Sequence, residues 1–254
     1  MKIGVIGLGL IGGSIFKKLQ EPGKYEVIGV SRSVKGVNIS DDYKTLSDCK
    51  IVFVCTPMSV TPDILDKLEN FVCQDTIVTD VCSLKGFVSK KKYNYCFIPS
   101  HPMAGTENSG WENSFPELFE KAKWVITPLN GEISEKQEIL EKVIEDMGAN
   151  IVITSPEEHD KAVALISHMP MVVAQALCEN IKDNQLAQIL ASSGFRDTTR
   201  LALSNTQMAC DMVNMNRENI ELALDTLTES LNKLLNEDYP QKIETIKSFR
   251  KNLY

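Results

Sequence analysis

The sequence predicts an α/β fold, in which a doubly wound parallel sheet over residues 1–154 is followed by an all-helical domain over residues 155–254. Three observations carry this prediction. Short runs of consecutive apolar residues alternate with helical patterns through the first part of the chain. A glycine-rich turn follows the first of these runs directly. After Thr154 helical periodicity continues, and no further strand pattern occurs.

Seven apolar runs form the predicted sheet, and such runs suit parallel strands that are covered on both faces. Only about twenty residues separate the second run from the third, so that part of the sheet should be abbreviated. One connecting helix has clear ends, with a capping box at Ser134 and Gln137 and a C-terminal Gly148. The predicted strands are 2–6, 27–30, 51–55, 76–80, 96–100, 124–127 and 150–154.

The second domain begins with a long helical pattern from Pro156, which Pro170 should kink or open. Helices are then predicted at 184–191, 205–215, 217–236 and 239–249. The helix at 217–236 has more apolar positions than a domain of this size can easily bury, which predicts a two-fold homodimer. These positions are Ile220, Leu222, Leu224, Leu227, Leu231, Leu234 and Leu235.

The glycine turn has the spacing of a dinucleotide-binding loop and lies between a strand and a helix. Its glycines allow a tight turn and a close approach to a diphosphate, which the helix N-terminus would face. We therefore predict a Rossmann-type cofactor site, with a purely structural glycine turn as the alternative. The residues assigned are Gly7, Leu8, Gly9, Leu10, Ile11 and Gly12.

The residues after the second strand bear on the choice of cofactor. A site for NAD is expected to have a carboxylate there for the ribose hydroxyls, but Ser31, Arg32 and Ser33 follow Val30. A hydroxyl and a guanidinium suit a 2′-phosphate, so NADP is favoured over NAD. Alternatively, Arg32 is a solvated residue that stacks on adenine. Thr56, which follows the third strand, is also assigned to this site.

Composition argues against several classes of partner. The net charge of −7 comes without a basic stripe, which argues against nucleic acid. No stretch of about 18 apolar residues stands out, so we expect no membrane span. The seven cysteines show no paired spacing, which favours reduced, mostly buried thiols in the cytosol. The three histidines lack ligand spacing, so no metal site is expected.

Four further stretches contain histidine, serine, arginine and charged residues in combinations that packing alone does not require. They are residues 79–86 (TDVCSLKG), 100–107 (SHPMAGTE), 167–170 (SHMP) and 192–200 (SSGFRDTTR). Together with the glycine loop, they resemble the prephenate and arogenate dehydrogenases from Met1 to about Ala202. The resemblance implies a Rossmann-type domain joined to a helical dimerisation domain. It also implies oxidative decarboxylation of a cyclohexadienol to a phenol, in the synthesis of tyrosine.

The resemblance assigns roles to individual residues. His101 would accept the proton or a hydrogen bond from the ring 4-hydroxyl, with Ser83 assisting, and Arg200 would grip a substrate carboxylate. The other substrate residues implied are Arg196, His168, Thr106 and Glu107. His168 could instead be a core residue, Arg200 a surface ion pair and Ser83 a helix N-cap. We expect His159 to lie on the surface, because charged residues surround it.

The substrate remains open between prephenate, arogenate and both. Some relatives that prefer prephenate have a second histidine where this chain has Met171. A β-hydroxyacid or imine dehydrogenase shares the overall plan, and such enzymes usually depend on a lysine in the helical domain. Lys161 and Lys182 lie in that domain here, but no motif accompanies either of them. A cofactor-binding sensor without chemistry would not need the histidine, serine and arginine motifs.

Overall fold

The computed structural model describes residues 1–21, 23–106, 108–129, 134–236 and 238–253. The first part of the chain forms a six-stranded sheet of order β3-β2-β1-β4-β5-β6, in which all neighbours are parallel. This order confirms the doubly wound, Rossmann-type prediction. The strands are β1 (Lys2–Ile6), β2 (Glu26–Val30), β3 (Ile39–Ser40), β4 (Ile51–Val54), β5 (Ile77–Asp80) and β6 (Cys96–Phe97).

The segment between β2 and β4 is abbreviated, as its length predicted. The strand β3 has only two residues, and a single 3-10 turn at Tyr43–Leu46 replaces a full crossover helix. The carboxyl end of β3 therefore lies beside that of β2, at the edge where ligands bind in such sheets.

The predicted strand 96–100 is wrong as a single element, because it contributes to two sheets. After β6 the chain enters β7 (Ser100–Pro102), which pairs antiparallel with β8 (Lys123–Ile126), and β8 pairs parallel with β9 (Asn150–Ile153). Pro99 lies at the break. The N–H groups of Cys96 and Ile98 donate to backbone carbonyls at β5, whereas the Pro99 carbonyl accepts from the Thr127 N–H at 3.0 Å, beyond the end of β8. The expectation of strands covered on both faces also fails at β9, whose Val152 and Ile153 are exposed at a sheet edge.

Three long helices pack on the sheets: α1 (Leu10–Leu19), α2 (Thr61–Leu68) and α3 (Glu135–Asp146). The predicted ends of α3 are confirmed, since the Ser134 hydroxyl accepts from the Gln137 N–H and Gly148 has a φ of 88°. The Gln137 side chain donates to Glu141 and does not close the box. The apolar core therefore forms between these helices and the two sheets.

The described part of the chain after β9 is entirely helical, as predicted. The long helix at its start is opened at Ala164–His168 into a π-helical turn, directly before Pro170. Pro170 cannot donate to the Ile166 carbonyl, which explains the break. The helices are α4 (Pro156–Val163), α5 (Met169–Asn180), α6 (Gln185–Leu190), α7 (Ser193–Thr198), α8 (Thr206–Met215), α9 (Arg217–Asn236) and α10 (Tyr239–Leu253).

One helix among the described residues, Pro156–Asn180, is long and apolar enough to cross a membrane, with 28% of its most apolar window buried. This differs from the expectation of no such stretch, because the charged residues of the helix lie in its first two turns and at Glu179, next to its end. Three of its polar side chains, His159, Asp160 and His168, make hydrogen bonds inside the protein.

Candidate active site

A cleft of about 670 Å³ opens at the carboxyl edge of the six-stranded sheet. Gly7, Leu8 and Gly9 form one wall. Gly7 has a φ of +85°, which L side chains rarely adopt, and a Cβ on Gly9 would meet no atom within 4 Å. No side chain caps the N-terminus of α1, and no acidic residue lies in its first turn. These features fit a cofactor diphosphate.

The remainder of the glycine motif has a packing role. Leu10, Ile11 and Gly12 do not line this cleft. A Cβ on Gly12 would come within 2.0 Å of the Gly7 carbonyl oxygen and 2.8 Å of the Cys55 Cβ. Gly12 therefore allows α1 to approach the glycine turn and β4 closely, which places the N-terminus of α1 at the cofactor cleft.

The far end of the cleft contains charges of both signs. Ser31, Arg32 and Ser33 line the cleft, as the sequence predicted. Thr56 lines it as well, beside Gly7. The lining residues that were not predicted include Tyr43, Lys67 and Asp41. The Lys67 ammonium lies 4.1 Å from the centre of the Tyr43 ring, and Asp41 forms an ion pair of 3.4 Å with Lys35. The carboxylate missing after β2 is thus provided by the end of β3, already paired with a lysine.

Ser83 and His101 lie after β5 and in β7, whose ends are joined by hydrogen bonds. The Ser100 hydroxyl donates to the Asp80 carbonyl at 2.8 Å, which holds the start of β7 at the carboxyl end of β5. Ser83 caps no helix, and its hydroxyl has no partner among the described residues. It is therefore free to bind a ligand.

His101 is a neutral base in this environment. Burial lowers its pKa well below the usual 6.5. The charge of Lys85, and the charge that His159 or His168 carries when protonated, lower the pKa further, because like charges repel. The side chain remains partly exposed. An unprotonated imidazole with an open face can accept a proton from a bound hydroxyl group.

A buried ion pair lies behind Ser83 and His101, in the protein interior. Lys85 and Asp80 both have fully buried side chains and contact each other directly. The Lys85 ammonium also donates to the Ser100 carbonyl, and Asp80 accepts from the Cys82 N–H at 2.9 Å. The pair therefore ties the turn that carries Ser83 to the strand that carries His101.

The expected surface position of His159 is wrong. It is 2% exposed, and its Nε2 lies 2.9 Å from Nδ1 of His101. Its Nδ1 lies 2.8 Å from the Asp160 carboxylate. Its charged sequence neighbours, Glu157 and Glu158, do face solvent, whereas the helix turns His159 and Asp160 inward. The adjacent histidine and aspartate were the only signal, and their partners lie far away in sequence.

His168 is also buried, at 1% exposure, and its Nδ1 lies 3.1 Å from Nδ2 of Asn216. Burial lowers its pKa to about 4, although the Asp160 charge opposes this. Asn216 also donates to the backbone carbonyl of Asp160 at 2.9 Å. Asn216, which sequence analysis did not identify, therefore joins the two histidine-bearing turns of the long helix.

The two arginines are not brought into the His101 site. Arg196 and Arg200 are exposed and line a separate cleft of about 400 Å³ with Thr199 and Cys178. Arg196 forms an ion pair with Asp197 at 3.3 Å. Thr106 is exposed and accepts from the Asn108 N–H, while Glu107 lies outside the described residues. The roles in substrate binding assigned to Arg200, Arg196, Thr106 and Glu107 therefore stay predictions.

Two family profiles together match nearly the whole chain. The profile described as "Prephenate dehydrogenase, nucleotide-binding domain" matches residues 22–153, and "Prephenate dehydrogenase, dimerization domain" matches residues 155–248. The chain belongs to the prephenate dehydrogenase family. It is therefore an NAD(P)-dependent dehydrogenase, and the family resemblance found in the sequence is confirmed.

Individual relatives agree with the family. The prephenate dehydrogenase of Bacillus subtilis is 31% identical over 253 positions, which cover 90% of this chain and 67% of that protein. The structure of Synechocystis arogenate dehydrogenase is 32% identical and covers both chains fully, with a TM-score of 0.86. The Aquifex aeolicus prephenate dehydrogenase in complex with hydroxyphenyl propionate and NAD+ is 26% identical, with a TM-score of 0.88 over 100% of this chain and 98% of that chain.

The family's dimerisation domain coincides with the apolar surface of this chain. Of the positions singled out in α9, Leu222, Leu231 and Leu235 are 63%, 50% and 79% exposed, whereas Ile220 is buried. Exposed apolar residues continue on α6, where Ile189 is 72% exposed. Such surface is typical of an interface between subunits.

Proposed function

We propose that this chain oxidises and decarboxylates prephenate to 4-hydroxyphenylpyruvate, with His101 as the base and Ser83 as a second hydrogen-bonding group. The observation that supports this best is the neutral, partly exposed imidazole of His101 in β7. The start of β7 is held at the carboxyl end of β5, in the sheet that carries the cofactor cleft. When bound, the nicotinamide accepts a hydride from C4 of the ring.

The chain's residues handle one proton in this reaction. As the hydride leaves C4, the ring hydroxyl becomes a carbonyl, and its proton moves to Nε2 of His101. The bond from the ring to the carboxylate then breaks, CO2 departs, and the bond's electron pair makes the ring aromatic. The resulting phenolate takes the proton back from His101. The proton is thus borrowed and returned, and the imidazole needs a pKa low enough to begin unprotonated.

The side-chain end of the substrate distinguishes prephenate from arogenate. Met171 is 3% exposed and packs with Met58 and Leu84, so it offers no polar group to that end of the substrate. We propose prephenate as the substrate, with arogenate or both as the alternative, because both matching family profiles are described as those of prephenate dehydrogenase. Absorbance at 340 nm with prephenate, arogenate and a β-hydroxyacid tests this. We expect the highest kcat/KM with prephenate; turnover of arogenate alone would establish the alternative, and of the hydroxyacid alone would refute both.

We propose that NADP is the preferred cofactor, because Arg32 and Lys67 line the adenosine end while Asp41 is paired with Lys35. Arg32→Ala should raise the KM for NADP about tenfold or more and that for NAD much less, since only NADP has a 2′-phosphate. Asp41→Asn is the matched variant, and it should affect NAD more than NADP. Equal losses for both cofactors in Arg32→Ala would contradict the proposal.

We propose a homodimer formed through the helical domain, since Leu222, Leu231 and Leu235 present an exposed apolar face on α9. Sedimentation at micromolar concentration should give twice the chain mass of 28.3 kDa. Leu235→Glu should shift the population towards monomer, because it places a charge in the interface. A wild-type monomer under these conditions would refute the dimer.

The location and the small-molecule partners of this chain are proposed as well. We propose a cytosolic location, which the seven unpaired cysteines support, although Cys73 and Cys210 are exposed and not buried as expected. The substrate and cofactor are proposed as the small-molecule partners, without nucleic acid or membrane. The division of the chain at residue 154 stays a prediction.

A further inference from the structure

A line of three side chains runs from His101 into the protein. Nδ1 of His101 lies 2.9 Å from Nε2 of His159, and Nδ1 of His159 lies 2.8 Å from Oδ1 of Asp160. His159 is buried, and both of its ring nitrogens are engaged. The proposed function uses only the outer nitrogen of His101, so the rest of this line has no role in it yet.

The hydrogen-bond partners determine where each proton lies. The Asp160 carboxylate accepts from the Lys85 and Gly86 N–H groups, both at 2.8 Å, and a carboxylate in this setting is an acceptor only. The proton between Asp160 and His159 is therefore on Nδ1 of His159. When His159 carries only that one ring proton, it accepts at Nε2, and His101 then donates from Nδ1. Nε2 of His101 is left without a proton.

We propose that His159 and Asp160 are positioning residues, which hold His101 in the tautomer with a free Nε2 and stabilise its positive charge when it takes a proton. This inference rests on the proposed role of His101 as the base. A histidine that could rotate, or carry its proton on Nε2, would present a donor to the substrate hydroxyl and could not accept from it.

The anchoring of Asp160 supports this role. A Cβ on Gly86 would come within 2.9 Å of Oδ2 of Asp160, so glycine leaves the space that the carboxylate occupies. Asn216 holds the Asp160 backbone carbonyl at 2.9 Å. The carboxylate is thus fixed from the turn after β5 and from the end of α8, which gives the line of side chains one orientation.

The charges around His101 require a counter-charge. The groups that face it are Lys85, paired with Asp80, from the turn after β5; His159, next to Asp160, from α4; and His168 from the π-helical turn. Lys85 is neutralised by Asp80. The Asp160 carboxylate therefore remains to balance an imidazolium, which His101 becomes only during the reaction. Loss of this balance should affect turnover more than substrate binding.

Nitrogen-15 NMR of the imidazole rings tests the tautomer directly. The chain has only three histidines, so single substitutions assign every signal. In the wild-type protein at neutral pH, we expect the His101 signals of a ring protonated at Nδ1 and unprotonated at Nε2. A proton on Nε2 of neutral His101 would overturn the proposal, whatever the variants show.

A pair of substitutions at His159 tests the link to catalysis. His159→Gln places an amide oxygen where Nε2 lies and can still accept from His101, whereas His159→Leu cannot. We expect His159→Leu to lose on the order of 10²-fold in kcat with KM within a few-fold, and to lose the preference for a proton on Nδ1. His159→Gln should recover most of the turnover and the tautomer. Equal loss in both variants, with the tautomer unchanged, would contradict the positioning role.

The two levels of the proposal can fail separately. If the wild-type protein turns over neither prephenate nor arogenate, the proposed function fails, even where the tautomer is as stated. If the wild-type protein turns over substrate but His159→Leu keeps its kcat, the proposed positioning role of His159 and Asp160 fails, and the proposed function stands. If His159→Leu does not fold, the wild-type tautomer and the His159→Gln kinetics still decide the question.

Discussion

His101→Asn should lower kcat by about 10²–10⁴-fold and change the KM for substrate only modestly. The imidazole takes up charge mainly in the transition state, so its loss is felt there more than in the ground state. Asparagine keeps a polar group near the position of Nδ1 but places no base where Nε2 lies. Steady-state kinetics with saturating cofactor measure this effect. Turnover close to that of the wild-type protein would exclude His101 as the base.

The same variant has a pH signature. Because burial and three neighbouring groups lower the pKa of His101, the neutral base already predominates below pH 6.5. The rising limb of kcat/KM should therefore lie below the usual histidine range, and it should vanish in His101→Asn. A rising limb at or above pH 6.5 that persists in the variant would assign the titration to another group.

Arg200→Ala is the comparison for His101→Asn. A guanidinium that grips a carboxylate acts in the ground state and the transition state alike, so this variant should raise KM much more than it lowers kcat. Arg200 lies in a cleft separate from His101 in the isolated chain. If both variants lost only substrate binding, the division of roles between the two residues would be wrong.

Lys85→Met should lower the free energy of unfolding by about 3–5 kcal/mol. Asp80 and Lys85 are both fully buried, and removing the lysine leaves an uncompensated carboxylate in the interior. The Ser100 carbonyl would lose its ammonium donor as well. Urea unfolding followed by tryptophan fluorescence suits this measurement, because buried Trp124 donates to the Ser100 hydroxyl at 3.0 Å.

Two variants make this test specific. Lys136→Met removes the ion-pair partner of exposed Asp75 and should cost less than about 1 kcal/mol, because solvent around Asp75 already screens that pair. Asp80→Asn combined with Lys85→Met should recover part of the lost free energy of unfolding, because the double variant no longer has an unpaired carboxylate in the interior. A cost for Lys85→Met as small as that for Lys136→Met would show that the buried carboxylate finds another partner.

Local patterns were enough to predict most of the fold. The glycine turn, the apolar runs and the ends of α3 depend on residues close together in sequence, and the structure has them as predicted. The break at Pro170 and the short segment around β3 were also predicted, because the chemistry of proline and the length of a crossover are local properties. The division of residues 96–102 between two sheets was missed, since pairing partners lie far away in sequence.

The candidate site divides in the same way. Motifs pointed to His101, Ser83 and part of the lining of the cofactor cleft, because these residues follow strands at whose ends ligands bind. The partners of His101 could not be identified, as His159 and Asp160 lie 58 and 59 positions further along the chain, in a helix start that resembles a solvated one. Asp41 was missed for a similar reason, because a two-residue strand carries it to the edge beside β2.

The sequence by itself determined the fold class, the family and the base of the proposed reaction, because these depend on short motifs whose spacing is visible in one dimension. Only the tertiary structure bears on the protonation state and tautomer that we propose for that base. These depend on burial and on the orientation of hydrogen-bond partners from β5, α4 and α8, which meet only when the two halves of the chain pack together.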